Sequence, residues 1–457
     1  MDDPQSLLGL MLGVRQARRI DGAALARLQS RRLQELVAHA RAHSPYYREL
    51  YRDLPQGAAD PSQLPTTSKN ALMARFDEWV TDPRLRYEHV RAFSRDPQRI
   101  GEHFLDRYTV ATTSGTTGMP GLFVLDERTM DVSKAIATRM LGDWLSWRDI
   151  LDIVRQGGRT SMVMAIGGHF ASAVAAARMH RPGRSRRVQV LSVHMPLADI
   201  VQALNDFQPA VIAPYASMAA QLADEQESGR LRIRPILLAL AAEGLQQGEY
   251  ERVARAFGAK VGNSYACTEC TFLSHSCAHG WLHVNSDWAL LEPVDAQLRP
   301  VAPGTRSHTV LLSNFANRVQ PILRYDLGDR VTQRPDPCEC GSPFPAIRVE
   351  GRTADVLKLG PADGPRVSIP FLSFAALEDR VDGLETYQVV QTSAVALSVR
   401  VTAAEEADVG AVLNAARAQV EQLLAKHGIQ AVRVSVDERP PERTSGGKLR
   451  PVIPLTN

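Results

Sequence analysis

Lysine is scarce in this chain. It supplies only six of the 53 basic residues and arginine the other 47, so a lysine in a conspicuous place is worth noting. An excess of one charge is also lacking: 53 basic against 50 acidic residues leave a formal charge of +3, which gives no case for a nucleic-acid partner. No apolar run approaches the roughly 18 to 20 residues of a membrane span. The first residues, Met1-Asp2-Asp3-Pro4, are acidic. The short apolar stretch from Leu7 to Val14 comes before Arg15, Arg18 and Arg19, an order that does not fit a signal peptide. Cysteines are few and odd in number, Cys267, Cys270, Cys277, Cys338 and Cys340, which suits a reducing compartment better than a disulfide framework. A cytoplasmic protein with no membrane or nucleic-acid partner is expected.

What is present is the profile of an ordinary globular protein: 457 residues, 44% hydrophobic and 23% charged, with 31 Gly and 28 Pro. At roughly 100 to 200 residues per domain, two or three domains are expected. The first hundred residues read as helical, with Leu25, Leu28, Leu33, Leu36, Val37 and Ala40 on one face and Ser44-Pro45 ending the stretch. From Arg159 to Val261, short apolar runs (161–166, 188–193, 210–213, 236–242) alternate with amphipathic stretches such as 197–207 and 249–257. This is the pattern of a parallel sheet covered by helices. Strands and turns follow between Trp288 and Val331, with 288–293 and 308–313 as candidate strands and Pro303-Gly304 as a turn. After Gly351-Arg352 a small α+β unit of about 100 residues is predicted. In it Val395, Leu397, Val399 and Val401 alternate as a half-buried strand, residues 409–424 repeat as a helix face, and Val432, Val434 and Val436 alternate again.

The strongest local signal is Thr112-Thr113-Ser114-Gly115-Thr116-Thr117-Gly118-Met119-Pro120-Gly121. Glycines let backbone N–H groups approach an anion and hydroxyls add donors, so this loop is suited to cradling phosphates. It is not the Walker sequence, because no Gly-Lys-Ser/Thr follows the glycines. Three further segments stand at strand ends or at the change of domain character: Tyr265-Ala266-Cys267-Thr268-Glu269, Arg324-Tyr325-Asp326-Leu327-Gly328-Asp329 and Gly351-Arg352-Thr353-Ala354-Asp355. A fourth, Arg443-Thr444-Ser445-Gly446-Gly447-Lys448, puts one of the six lysines in a glycine turn.

Together and in this order the segments resemble the adenylate-forming superfamily of acyl-CoA synthetases. The short length and Ser44-Pro45-Tyr46-Tyr47-Arg48 look most like its phenylacetate-CoA ligase branch. The resemblance covers nearly the whole chain. It implies an α/β fold: a large adenylation domain over residues 1–352, with parallel sheets covered by helices, and a small mobile α+β domain over 353–457. It also implies ATP-dependent activation of a carboxylic acid as an acyl-adenylate, with transfer to coenzyme A or, in the alternative, to an amine or other acceptor.

Residue by residue, the resemblance implies that Thr113, Ser114, Gly115, Thr116, Thr117 and Gly118 close over the ATP phosphates. Glu243 and Gly244 would form the adenine-side turn and Tyr265 would stack on adenine. Thr268 would touch phosphate or the substrate carboxylate, Glu269 would hold Mg²⁺, Asp329 and Arg352 would bind the ribose, and Lys448 would swing into the site. Three positions depart from the family pattern: Gly121 where many relatives carry lysine, Ala266 where glycine is usual, and Ala354 where the hinge usually has Asp or Lys.

In the sequence Cys277-Ala278-His279-Gly280-Trp281-Leu282-His283, Cys277 and His283 flank Gly280, and Cys338-Glu339-Cys340-Gly341 lies about 55 residues on. Three thiolates and an imidazole make a tetrahedral zinc set, with His275, His279 or Cys270 open as substitutes, and similar placement in relatives implies structural Zn²⁺. His169, at a strand-to-helix turn, falls where the family places a gate near the carboxylate. The other walls expected for the acid pocket are the helix from Met130 to Trp147 and Pro214-Tyr215-Ala216; their mix of Met, Leu, Trp and Tyr suggests an aryl or apolar acid. Oligomeric state is not legible, and a homodimer stays open.

Overall fold

The computed structural model describes residues 6–55, 57, 60–113, 121–164, 166, 169, 171–179, 187–193, 195–241, 247–349, 356–360, 366–374, 377–404, 407–429, 432–442 and 452–455. The expected parallel sheet is there and forms half of a larger one. Val188–Ser192, Thr160–Met164, Val211–Pro214, Leu237–Leu240 and Lys260–Cys267 lie side by side in that order, all parallel. The chain then turns back on itself. Cys270–Ser276, Leu282–Val284, Ala346–Val349 and Val331–Gln333 continue the sheet antiparallel, making nine strands. Helix Leu197–Phe207 matches the predicted range and buries Ile200, Val201 and Leu204. It stops at Gln208, which takes a left-handed φ of 50°. That conformation is costly without glycine, and the Gln208 side chain is tied down by bonds to the carbonyls of Asn205 (2.7 Å) and Arg232 (3.0 Å).

A second, three-stranded antiparallel sheet holds Ala289–Val294, Thr309–Asn314 and Ile322–Asp326. Thr109–Thr112 and Leu122–Leu125 form a separate ribbon. The N-terminal helices share in the core rather than only covering it. Ser44 ends helix Gly22–His43 and, through its hydroxyl, caps Pro45–Leu50. Fully buried Tyr47 and Trp79 both donate to the carbonyl of Pro321, at 3.0 and 2.7 Å.

The helix expected from Met130 to Trp147 is instead two. Glu127–Trp144 ends before Ser146, which opens Trp147–Arg155 with a reciprocal capping box to Asp149. The apolar period runs on through the break, whereas Ser-x-x-Asp is a start signal. Trp144 closes the first helix against the sheet. Its ring lies where a β-carbon on Gly262 would come within 2.2 Å, so only glycine fits there, and its Nε1 donates to Ser276 O at 2.8 Å.

The C-terminal segment carries the predicted strand, helix and strand as Ala396–Ala403, Val409–Lys426 and Arg433–Val436. Ala396–Ala403 and Arg433–Val436 join a four-stranded sheet with Leu384–Ser393 and Val452–Ile453. One expectation is corrected here: Ala396–Ala403 is buried on both faces, not one. Arg400, 4% exposed, is covered because Asp437 (2.7 Å), Glu442 (2.7 Å) and Gln388 (3.0 Å) satisfy its guanidinium. Two apolar clusters draw only on residues up to 349, and a third, from Leu357 to Val452, draws on none of them. Among the described residues, no helix is long and apolar enough to cross a membrane.

Candidate active site

The phosphate-loop candidate springs from the short ribbon. The Thr113 N–H donates to Gly121 O at 3.0 Å and the Gly121 N–H to Thr113 Oγ1 at 2.8 Å, so the two ends of the loop are stapled together. Ser114, Gly115, Thr116, Thr117 and Gly118 lie outside the described residues, as do Glu243, Gly244, Arg352 and Lys448. At the base of the loop stands a lysine that motif reading did not single out. A β-carbon on Gly121 would come within 3.4 Å of Lys69 Cε and 2.6 Å of the Phe123 ring. Lys69 opens helix Lys69–Ala74 behind the capping Ser68. The signal that could have found it is its rarity.

Thr268 and Glu269 form the two-residue turn joining Lys260–Cys267 to Cys270–Ser276, where Cys267 pairs with Cys270. A hairpin this tight fixes both side chains relative to the sheet. Glu269 is 7% exposed; its Oε1 accepts from Tyr325 Oη at 2.9 Å and its carbonyl from Asn314 Nδ2 at 2.7 Å. Tyr265, four residues earlier, donates through its hydroxyl to Asp329 Oδ2 at 2.7 Å. The structure thus joins Tyr265 to Asp329 and Glu269 to Tyr325, a member of the 324–329 segment given no role of its own, and adds Asn314, which lies in none of the motifs. Desolvation pushes the Cys270 thiol up to about 12 and the Cys267 thiol well above its ordinary range.

The segment 324–329 is held in an unusual backbone state. Arg324 has φ 41°. Its guanidinium is buried with Glu292 (3.3 Å) and the Leu64 carbonyl (2.7 Å), and its N–H reaches Ser313 Oγ at 3.0 Å. Asp326 accepts from the Gly328 N–H at 2.8 Å, and Gly328 turns at φ 67° to place buried Asp329.

His169 is 2% exposed and packs against Phe93 at a tilt of 57°, 5.3 Å between ring centroids. Neither ring nitrogen makes a hydrogen bond, while its carbonyl accepts from the Thr112 N–H at 2.8 Å. Burial lowers its pKa, offset in part by the nearby carbonyls of Arg99 and Ser94. Tyr215 is packed in the core beside the parallel sheet. A cavity of about 10 Å³ lies beside Val132, Ile136, Glu269, Cys270 and Trp288. That is room for one water and no acid.

The cysteine expectation resolves into one set. Ligand atoms of Cys277, His283, Cys338 and Cys340 all lie within 4.8 Å of one another. The Cys277 and Cys338 sulfurs are 3.8 Å apart, and Cys340 Sγ is 3.1 Å from His283 Nε2. His283 Nδ1 sits 2.8 Å from the Phe344 carbonyl. That partner places the proton on Nδ1 and leaves Nε2 as the ligand atom. The substitutes fall away: His275 pairs with Asp143 at 2.8 Å and His279 faces Glu339 at 3.6 Å, while Cys270 stands on the hairpin.

The fold is similar to that of solved acid–CoA ligase structures. In solved structures the chain is similar to 2-hydroxyisobutyryl-CoA ligase. The likeness to its complex with 2-HIB-AMP and CoA in the thioesterification state has a TM-score of 0.58 at 22% identity over 96% of this chain and 91% of that one. Against its postadenylation state the TM-score is 0.53 at 21% identity, over 96% and 92%. Among curated proteins the chain is similar to the phenylacetate-coenzyme A ligase of Thermus thermophilus, 24% identical over 351 residues, 73% of this chain and 71% of that protein. No family model matches the sequence. The resemblance read from the motifs is borne out: the chain is similar in sequence to a phenylacetate-coenzyme A ligase and in fold to 2-hydroxyisobutyryl-CoA ligase.

Proposed function

We propose that the protein is an AMP-forming acid–CoA ligase that activates an aryl or other apolar carboxylic acid. The observation that carries this reading is the pairing of Tyr265 with Asp329 and of Tyr325 with Glu269, in a chain similar to two CoA ligases. In the first step the carboxylate oxygen attacks the α-phosphorus and pyrophosphate leaves, giving the acyl-adenylate. In the second the CoA sulfur attacks the acyl carbon, AMP departs and the thiol proton is released.

In this reading Tyr265 faces adenine, with Glu243 and Gly244 at its edge, and Asp329 and Arg352 hold the ribose. Residues 113–118 wrap the phosphates and Thr268 meets the carboxylate or α-phosphate. His169 is a wall near the acid, where burial disfavours its charged form. A buried carboxylate such as Glu269 fits Mg²⁺, a hard cation that takes oxygen ligands; bound there, Mg²⁺ neutralises charge on the phosphate oxygens. Lys448 provides the second positive charge as the small domain, residues 353–457, closes over the adenylation domain, residues 1–352. The separate apolar clusters support that division. Zn²⁺ at Cys277, His283, Cys338 and Cys340 completes the reading, and such a thiolate set suits a reducing, cytoplasmic setting.

The test is pyrophosphate release from ATP and Mg²⁺ across a panel of aryl and alkyl acids, with and without CoA, for the wild type and Lys448→Ala. Acid-dependent release that turns over only with CoA is expected, with Lys448→Ala folded and slowed by about 10² to 10³. Release indifferent to CoA would move the reading to an amine or other acceptor. A fully active Lys448→Ala would remove that residue from the site.

A further inference from the structure

The two tyrosine motifs brace each other crosswise. Tyr265 and Glu269 are four residues apart, as are Tyr325 and Asp329. The hydroxyl of Tyr265 bonds the acid of the second motif at 2.7 Å, while the hydroxyl of Tyr325 bonds the acid of the first at 2.9 Å. We infer that Tyr325 is a positioning residue for the cation site, its phenol fixing one oxygen of Glu269 so that the other is held ready for the metal. This rests on the reading of Glu269 as the Mg²⁺ ligand.

The physical case is one of orientation. Mg²⁺ demands near-ideal octahedral geometry, and a glutamate turns freely about its last bonds unless an outer partner holds it. Tyr325 can serve as that partner because it is itself immobile. It is 2% exposed, and its ring meets Phe123 edge-on at 6.4 Å. Its strand is bound to Thr67 on both sides, through Thr67 N to Arg324 O at 3.0 Å and Asp326 N to Thr67 O at 2.9 Å. Asn314 holds the Glu269 backbone at 2.7 Å, so the phenol has only the side-chain rotation left to fix. The neighbouring Phe123 leads directly back to the phosphate loop, where it fills the space beside Gly121.

The experiment is a titration of the full chain with Mn²⁺ as a paramagnetic stand-in for Mg²⁺, in the presence of α,β-methylene-ATP. It is paired with AMP binding in EDTA. Loss of an outer partner commonly costs roughly 10- to 100-fold in metal affinity. Tyr325→Phe should weaken Mn²⁺ binding by about that factor and leave metal-free AMP binding unchanged. Glu269→Asp, which draws the carboxylate away from the phenol while keeping Tyr325 in the core, should lose a comparable factor. That variant also serves if Tyr325→Phe does not fold. Unchanged Mn²⁺ affinity in folded Tyr325→Phe would overturn the inference alone, and equal losses of Mn²⁺ and metal-free AMP binding would reduce Tyr325 to a structural role and overturn it too. A wild-type complex that binds Mn²⁺ no better than the free nucleotide would overturn the reading of Glu269 and the inference with it.

Discussion

Lys69 reaches Gly121, its ε-carbon 3.4 Å from where a β-carbon on that glycine would stand. The resemblance to acyl-CoA synthetases implies a lysine at the position of Gly121 in many relatives; here Lys69, from helix Lys69–Ala74, comes up to that glycine. A hydrogen bond to a charged group is worth about 1.5 to 3 kcal/mol, so Lys69→Met should lower kcat/KM for ATP by roughly ten- to a hundredfold. Pyrophosphate release measured against ATP concentration checks it; an unchanged ATP dependence would remove Lys69 from phosphate binding. Gly121→Lys should not rescue the variant, since the new β-carbon would meet the Phe123 ring at 2.6 Å.

A second prediction concerns stability. Arg139 and Asp287 are 1% and 2% exposed at their side chains and share two bonds of 2.9 Å. Arg139 also donates to Asn285 Oδ1 at 2.6 Å and to the Val14 carbonyl at 3.2 Å, joining helix Leu7–Gln16 to helix Glu127–Trp144. Breaking a buried pair from one side leaves a stranded charge and costs about 3 to 5 kcal/mol. Asp287→Asn should therefore lower the denaturant midpoint by that equivalent, and Arg139→Met with Asp287→Leu should lose less than either single change. Equal midpoints for wild type and Asp287→Asn would show that the pair is not buried as described.

These two relationships mark where sequence reading reaches and where it stops. Helix Leu197–Phe207 and the parallel strands were legible because burial on one or both faces imposes a period on the chain itself. The Tyr265, Glu269 and Asp329 positions were legible from their local motifs. Lys69 was not, because its partner Gly121 lies 52 positions away and no period links them. The burial of Arg400 was missed for a similar reason: arginine reads as exposed until Asp437 and Glu442 come to meet it from another strand and loop. The cysteine set was half legible. Spacing named four ligands and left three substitutes, and the partners Asp143 of His275 and Glu339 of His279 decided among the histidines.

Acid should weaken the fold through His169. Burial holds its folded-state pKa below the ordinary value, which is about 6.5 in an unfolded chain. On acidification the unfolded chain therefore takes up the proton first. The stability is fully present above about pH 6.5 and is lost as pH falls toward the lower, folded-state value. Thermal melts between about pH 7.5 and 5 should fall on the acid side. His169→Phe, which keeps a ring against Phe93 and removes the titration, should flatten that slope; an unchanged slope would assign the acid sensitivity to other groups.

Metal removal should be felt far from the cysteines. The Cys277, His283, Cys338 and Cys340 set is linked through the Phe344 carbonyl to His283, and the Phe344 ring lies 4.6 Å under the Arg139 guanidinium. Phe344 also packs with Ala17 and Leu25 of the N-terminal helices. A ligand present at a hundred times its dissociation constant adds about 2.7 kcal/mol to the folded state, a shift of several degrees in melting temperature for a domain this large. Elemental analysis should find about one zinc per chain, consistent with a four-ligand structural site. Stripping it with a chelator should lower the melting temperature and raise amide exchange around residues 17–25 as well as 338–344. The exchange pattern separates a tie from a local clip: loss confined to 338–344 would mean that Phe344 holds the N-terminal helices without help from the metal. A folded, zinc-free protein whose melt ignores chelator would leave Cys277, Cys338 and Cys340 as packed thiols.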